Sequence, residues 1–511
     1  MKFYSRPLRL TAQSVFLGLF LLTVLQATYP FQPWLPPELF LWLDPLASFS
    51  TMIADRFFTP VLLLSLLVLL SPLVFGRAFC GWVCPLGTVI DLCDRFIAPH
   101  TVISLRRYRP IKSILLVIFI LLAILGIQLA WLLDPLPILW RTIGVPGMAL
   151  FFLIIDTLMS GLGAVGIFPT LFTRLQDQLA GYLFPVARPA FGGLFLPVLI
   201  FGIIIGLSKV SRRFWCRTLC PLGALLGLVA KFSPWQRTVD AERCTSCAIC
   251  QRGCKMEAIE LDIMTTEKSE CILCQNCAHE CPTDAIWFSF QAPGRMRSPV
   301  DSSRRAFIGS GLGALAATGF LAINRPDPHR SDRLIRPPGA IPENDFNARC
   351  LRCGECVRIC ATSGKCLQHA IGYGGLESIL TPLAQFRRGY CEMNCNLCGQ
   401  ICPTKAIRPL ALPDKQKTKM GLALFIKDRC IPYRLNQNCM VCEEHCPVAD
   451  KAIQTEKRIY HDASTGLARV VDYPFVIPEL CIGCGICENK CPLSGEAGII
   501  VVREGEERLP T

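Results

Sequence analysis

Histidine is scarce in this chain: His100, His279, His329, His369, His445 and His461 are its six histidines in 511 residues. None lies inside an apolar stretch long enough to cross a membrane, which excludes a haem held between two histidines in such a bundle. Cys-x-x-Cys-His is absent, which excludes a covalently attached c-type haem. There is no Gly-x-x-x-x-Gly-Lys phosphate loop followed by Ser or Thr. The Gly-x-Gly-x-x-Gly match at Gly161–Gly166 sits in an apolar run, not between a strand and a helix, and reads as helix packing. Nothing resembles a molybdopterin or flavin domain. Charge is also low. Asp, Glu, Lys and Arg make up 18% of the chain against 52% hydrophobic residues, and the mean hydropathy of +0.42 is too apolar for an ordinary soluble protein. The net charge of +13 does not point to nucleic acid, because no basic run is interleaved with aromatics. The cations cluster beside apolar segments, as they do on the cytoplasmic flank of membrane helices.

What the chain has in abundance is cysteine: 30 residues, most in tight sets of four, often ending in Cys-Pro. A disulfide scaffold needs no such repeat, whereas iron–sulfur ligation does. Two sets, Cys244, Cys247, Cys250, Cys254 and Cys271, Cys274, Cys277, Cys281, have Cys-x2-Cys-x2-Cys-x3-Cys spacing. In that spacing the first three thiolates wrap one [4Fe–4S] cluster and the fourth reaches the other. The expected ligand groups are therefore Cys244, Cys247, Cys250 with Cys281, and Cys271, Cys274, Cys277 with Cys254. Ala258–Ile259 and Ala285–Ile286 follow the two sets, where each loop should enter a short strand. Zinc sites use separated Cys-x2-Cys pairs instead. Four further sets follow: Cys350, Cys353, Cys356, Cys360; Cys391, Cys395, Cys398, Cys402; Cys430, Cys439, Cys442, Cys446; and Cys481, Cys484, Cys487, Cys491. They suit four more clusters, making six. Spacing does not say which set lends its last cysteine to which. Cys366 is left over, either a packed thiol or a replacement for Cys360, which lacks the usual following proline.

The amino-terminal part carries another pattern. Apolar stretches at about Leu10–Thr28, Phe58–Gly76, Ser113–Leu133 and Pro189–Leu207 are long enough to cross about 30 Å of hydrocarbon. "FCGWVCPLG" follows the second and "WCRTLCPLG" the fourth, and "DPL" recurs at Asp44 and Asp134. Helix, Asp-Pro-Leu, helix, Cys-x-x-x-Cys-Pro-Leu-Gly therefore occurs twice in the same orientation, which relates the halves by an axis along the membrane normal. The positive-inside rule places both cysteine pairs at the cytoplasmic face. Cys80, Cys84, Cys216 and Cys220 then either converge as ligands of a seventh iron–sulfur cluster or are structural or redox-active thiols. Cys93 has no counterpart and reads as packing. The second half is longer, and its insertion, Met148–Phe168, should be a re-entrant or interfacial helix that does not span. Asp44, Asp134, Arg141 and Asp156 are candidates for handling quinol protons, with helix capping the plainer reading for Asp44 and Asp134.

Between the cysteine-rich parts, "SSRRAFIGSGLGALAATGFLAI" (Ser302–Ile323) has a twin arginine and an apolar run, like an export signal placed internally. It reads either as a fifth helix carrying the rest outward or as an interfacial helix. "RPPGAIPEND" (Arg336–Asp345) is a linker. The expected organisation is a membrane domain over 1–235, a two-cluster ferredoxin domain over 236–292, a twin-arginine segment and linker over 293–345, and a four-cluster domain over 346–511. The fold class is an α-helical membrane bundle of two tandem two-helix repeats plus two α+β bacterial-ferredoxin-like domains.

Residues 1–290, with "GRAFCGWVCP", "WCRTLCPLGA" and the two-cluster ferredoxin, resemble the NapH-type quinol-oxidising membrane family. Residues 302–503, with "SRRAFI", "CLRCGECVRIC", "MGLALF", "CEEHCPVADKAI" and "CIGCGICENKCP", resemble the NapG/MauM ferredoxin-type family. The resemblance implies a fusion of two proteins that are separate in those families. It implies electron transfer between menaquinol or ubiquinol and a partner oxidoreductase or cytochrome, expected to be periplasmic, from the bacterial inner membrane. The two-cluster domain would be cytoplasmic and the last domain periplasmic. Ala361 in place of proline, the extra Cys366 and the long insertion depart from the pattern and leave the downstream partner open. The likeness to four-cluster subunits also implies crosswise pairing: Cys360 with Cys481, Cys484, Cys487; Cys491 with Cys350, Cys353, Cys356; Cys402 with Cys430, Cys439, Cys442; and Cys446 with Cys391, Cys395, Cys398. The alternative from another class is a redox-sensing regulator or a protein of metalloenzyme maturation.

Overall fold

The computed structural model describes residues 6–29, 31, 33–97, 104–164, 191, 194–291, 304–323, 332–461 and 468–510. The chain divides into two compact units, one of Met1–Leu25, Trp34–Ile143 and Phe195–Phe320, the other of Gln26–Pro33, Gly144–Leu194 and Leu321–Thr511.

The first unit begins with apolar helices. Pro221–Ala230 packs on Ser65–Phe75 and on Pro110–Ile124, and Pro45–Asp55 packs on the same two helices. Phe20 anchors this core, meeting Phe40 and Trp140 edge-on with ring centroids 5.4 and 4.8 Å away. Among the described residues, two helical stretches are long and apolar enough to cross a membrane: Pro7–Gln26 with 20 residues and Pro135–Ile155 with 21. Pro60–Phe75, Phe195–Lys209 and Pro221–Ala230 are apolar but shorter. One of the four expected spans has its counterpart among the two, and part of Pro189–Leu207 lies outside the described residues. Leu10–Thr28 has its counterpart in Pro7–Gln26. Ser113–Leu133 is not one helix: Pro110–Ile124 ends there, and Gly126 turns the chain with a φ of 82°, a conformation that stops helices at little steric cost to glycine. The long apolar run lies one step later and continues into the helix Met148–Ala164, which covers the expected helical insertion Met148–Phe168 except for residues 165–168, outside the described residues.

The same unit carries the ferredoxin segment. Strands Trp235–Val239 and Ile286–Phe290 pair antiparallel, with Trp235 opposite Phe290 and Val239 opposite Ile286. Between them the short helices Ile249–Arg252 and Asn276–His279 each follow a cysteine loop. Ile286 opens a strand as its sequence suggests, whereas Ile259 makes only an isolated bridge to Thr266. Arg304–Ile323 is a 20-residue helix.

In the second unit, three antiparallel strand pairs are seen among the described residues, Leu367–His369 with Pro382–Ala384, Leu422–Phe425 with Ile499–Val502, and the long hairpin Ile453–His461 with Ala468–Val476, and Ala340 makes an isolated bridge to Ile407. Cysteine sulfur fills much of its core. Cys366, Cys442, Cys481 and Cys487 are buried together with Val357, Phe386, Ile453 and Val501.

Candidate iron–sulfur centres

None of the 30 cysteines is in a disulfide. Among the described residues, no three His, Cys, Asp or Glu side chains close on one point as a single ion requires. The thiols instead gather in fours around wider gaps. Cys254, Cys271, Cys274 and Cys277 line one cavity, the group expected from spacing. Cys250 faces Cys244 and Cys247 and shares a core with Cys281, which is the other expected group. The loops meet iron–sulfur requirements in detail. The Ala258 amide points at Cys254 Sγ from 3.3 Å, the kind of N–H···S contact that tunes such clusters.

The second unit groups its cysteines differently from the crosswise pairing. Cys350, Cys353 and Cys356 share a cavity with Cys402. Cys391, Cys395 and Cys398 share one with Cys360 and Cys366. Cys430, Cys439 and Cys442 share one with Cys491, and Cys484 faces Cys481 and Cys446. Neighbouring sets thus exchange their last cysteines, as in two successive two-cluster ferredoxins. The four groups form a row. Cys356 faces Cys398, Cys391 donates its amide to the Cys484 carbonyl at 2.9 Å, and Cys487 faces Cys442.

The repeated pairs converge. Cys220 faces Cys216, Cys80 and Cys84, Cys84 faces Cys80 and Cys216, and Cys216 faces Cys80. Cys84 and Cys220 stand immediately ahead of the helices Pro85–Ile97 and Pro221–Ala230, each with proline in the first helical position, where its missing N–H costs nothing. The Gly223 amide, three residues on, points at Cys220 Sγ from 3.3 Å. Burial, ahead of the neighbouring charges, pushes the Cys216 thiol up to about 11, with Arg213 opposing it. Two wholly buried guanidiniums answer the charge such a group carries when ionised. They are crossed between the repeats: Arg77, three residues before Cys80, reaches the Gly223 turn of the second motif, and Arg213, three residues before Cys216, donates to the Gly87 carbonyl of the first at 3.2 Å. Arg77 is held behind by Glu270 at 3.2 Å, and Arg213 by a two-pronged pair to Asp91, 2.8 Å for each contact.

This four-thiol group abuts a ferredoxin site. Cys80 and Cys216 pack with Cys254, Cys271 and Cys274 around Met256 and Ile272. Gly81 makes the approach possible, because a Cβ there would lie 2.3 Å from the Ile272 carbonyl oxygen. Trp82 fixes it by donating to the Leu273 carbonyl at 3.0 Å.

Comparison with known proteins agrees with these centres. A family described as a 4Fe-4S binding domain matches residues 57–103 and 194–238, which contain the repeated pairs. A second of the same description matches residues 264–287 and 474–493. The chain is 33% identical over 203 residues to the methylamine utilization ferredoxin-type protein MauM of Methylophilus methylotrophus, covering 39% of this chain and 85% of that one. It is 35% identical over 208 residues to the ferredoxin-type protein NapG of Escherichia coli K12, covering 40% and 84%. The chain belongs to this ferredoxin-type family. Iron–sulfur electron transfer is therefore its class of function.

Beyond the cysteines, this ferredoxin-type chain brings together two of the four quinone-site candidates. Asp44 and Asp134 hold the N-cap positions of the helices Pro45–Asp55 and Pro135–Thr142 at equivalent points of the repeat, and of the two only the Asp44 side chain makes capping hydrogen bonds. Asp44 Oδ1 accepts from the Leu46 and Ala47 amides at 3.1 and 3.3 Å, so the capping reading holds for it. Yet both residues are wholly buried, and their carboxyl groups lie within hydrogen-bonding reach of each other. Two touching carboxylates cut off from water cannot both ionise. Burial, and for Asp134 the charge of Asp44, raises both above the usual carboxylate range. A raised carboxyl contributes stability below its unfolded value and loses it as pH rises through the folded one. Asp134→Asn removes that loss. Its thermal-unfolding midpoint in detergent should exceed the parent's at pH 8 by an amount that fades toward pH 4. Each tenfold difference in proton affinity between the folded and unfolded chain is worth about 1.4 kcal/mol of this gap. An offset independent of pH would refute the shared proton. Arg141 is buried and stacks over Trp131 at 5.4 Å. Asp156 falls on the helix Met148–Ala164, with its side chain outside the described residues.

Sequence reasoning missed Arg77, Arg213, Asp91 and Gly81. The arginines counted only as membrane-flanking charge, although their identical offset from Cys80 and Cys216 was a usable signal.

Proposed function

We propose that the chain is a multi-pass inner-membrane conduit that moves electrons between the quinol pool and a partner oxidoreductase, joining a NapH-type membrane part to the NapG/MauM-type polyferredoxin. The observation that carries this reading is the contact between the four-thiol group and the ferredoxin loop of Cys271–Cys274. A membrane-side ligand set with no electron carrier beside it would have little use. One that touches a ferredoxin site, which itself adjoins a second, forms the start of a relay. When bound, the clusters supply one-electron steps. The chain's own residues do the rest. Cys80, Cys84, Cys216 and Cys220 hold a seventh cluster shared between the repeats. Arg77 and Arg213 offset its charge. Asp44 and Asp134 take up protons released as quinol is oxidised. The six other groups hold one cluster each. We place the two-cluster domain in the cytoplasm and the last domain in the periplasm, where it would serve the partner; quinone in the membrane part then links the two sides.

The test is anaerobic purification with iron and acid-labile sulfide counted, and EPR spectra taken before and after a reduced quinol analogue. Six clusters require about 24 irons per chain and seven about 28. Reduced-cluster signals that develop with quinol are expected. Full cluster content without any response to quinol would rule out direct quinol oxidation.

A further inference from the structure

Five thiols line the cavity of the second carboxy-terminal site: Cys360, Cys366, Cys391, Cys395 and Cys398. A cubane cluster takes four cysteine ligands. The surplus is specific. Cys391, Cys395 and Cys398 are the site's own triple, and the fourth place belongs to Cys360 by its surroundings. The Leu367 amide points at Cys360 Sγ from 3.4 Å, as the Ile407 amide does at Cys402 from 3.5 Å and the Gly498 amide at Cys491 from 3.3 Å. Cys366 is the extra thiol. It is buried, and its sulfur lies 3.8 Å from Cys360 Sγ, while Cys391 and Cys398 also face it.

That position is held from several sides. The Lys365 amide donates to the Cys360 carbonyl at 2.7 Å, Gln385 to the Cys366 carbonyl at 2.8 Å, and Tyr390 to the Gly364 carbonyl at 2.8 Å. Gly364 and Gly389 let the two segments touch, since a Cβ on either would lie 2.2 Å from a carbonyl oxygen of the other segment. A thiol serving as packing alone has no need to be clamped facing the ligand cavity. Cys360 is also followed by Ala361, whereas Cys402, Cys446 and Cys491 are each followed by proline, so the turn bearing Cys360 has lost a constraint on its backbone.

We infer that Cys366 is a reserve ligand of this cluster. With the cluster intact, its thiol donates a hydrogen bond to the Cys360 sulfur. In the exchange, the iron–sulfur bond to Cys360 breaks, one to Cys366 forms, and the Cys366 proton passes to Cys360. No electron is gained or lost. The inference rests on the iron–sulfur reading, which the parent's iron count tests separately.

The experiment compares the full-length parent with Cys360→Ala, Cys366→Ala and the double variant, all purified anaerobically, by iron, sulfide and EPR. Each single variant should retain the parent's iron to within about one atom, with the reduced-cluster signal shifted in Cys360→Ala. The double variant should lose about four irons. Loss of about four irons from Cys360→Ala alone would overturn the proposal, as would the same loss from Cys366→Ala alone. A parent with far fewer irons than its cysteine sets can hold would instead defeat the underlying reading.

Discussion

Replacing Cys84 and Cys220 together with alanine is expected to strip about four irons from the chain, from about 28 to about 24, while the ferredoxin signals survive reduction by dithionite. Quinol-driven reduction of those signals should be abolished. These two cysteines are the informative pair because one comes from each repeat, and each lies at a helix start beside its proline. If each repeat held its own metal, single substitutions would remove separate halves of the iron. If the thiols are structural, iron will not change. A shared cluster makes a sharper demand: Cys84→Ala alone and Cys220→Ala alone should each remove nearly the same iron as the double variant, because the group loses its closure with either ligand. Alanine leaves the amides of Gly87 and Gly223 and the guanidiniums of Arg77 and Arg213 in place, so the helices keep their starts. Retention of all iron in the double variant would sink the seventh cluster without touching the other six sites.

The cysteine groups of the ferredoxin segment were legible in the sequence because their spacing encodes a loop of one size, and that loop has few ways to place three thiolates. The repeat was legible too, since Asp-Pro-Leu and Cys-Pro-Leu-Gly each recur in order. The grouping of Cys402 with Cys350 and of Cys491 with Cys430 was not. Spacing says that a set lends a cysteine; which loop receives it depends on how the sets fold onto one another, and an analogy supplied the wrong answer. The apolar stretches gave helix bounds less well, for a different reason. Hydropathy does not see Gly126, which ends one helix early, nor the burial of Pro135–Thr142, every residue of which is internal. Arg77 and Arg213 show the deepest limit. The same residue serves as a flanking cation in a charge count and as a buried counter-ion in the fold, and only packing distinguishes the two.

Asp91→Ala should be the most destabilising single substitution in the amino-terminal unit, at about 3–5 kcal/mol. The carboxylate is buried and receives Arg213 through both oxygens, Arg9 through Oδ2 and Lys255 at 3.0 Å. Removing it leaves Arg213, wholly buried, and Arg9 in the interior without their shared acceptor. An uncompensated buried charge costs far more than a broken surface pair. The damage should be local first. Arg9 also donates to the Cys274 carbonyl and to Asn276, and Lys255 follows Cys254, so Asp91 ties the four-thiol group to the adjoining ferredoxin loops. The cluster of Cys254, Cys271, Cys274 and Cys277 should therefore bleach before global unfolding, seen as a fall in visible absorbance at a temperature below the change in circular dichroism. Acid gives an independent readout. Burial alone would raise the Asp91 carboxyl, but Arg213, Lys255 and Arg9 outweigh it and hold it well below the usual range. A lowered carboxyl contributes stability above its unfolded value, about 3.9, and loses it as pH falls toward the folded one. The parent should thus lose this contribution progressively below about pH 4, whereas Asp91→Ala, lacking it at every pH, should show a gap to the parent that narrows with acid. A gap that stays constant between pH 7 and pH 3 would mean that the charge of Asp91 contributes nothing and that the substitution acts through lost volume alone.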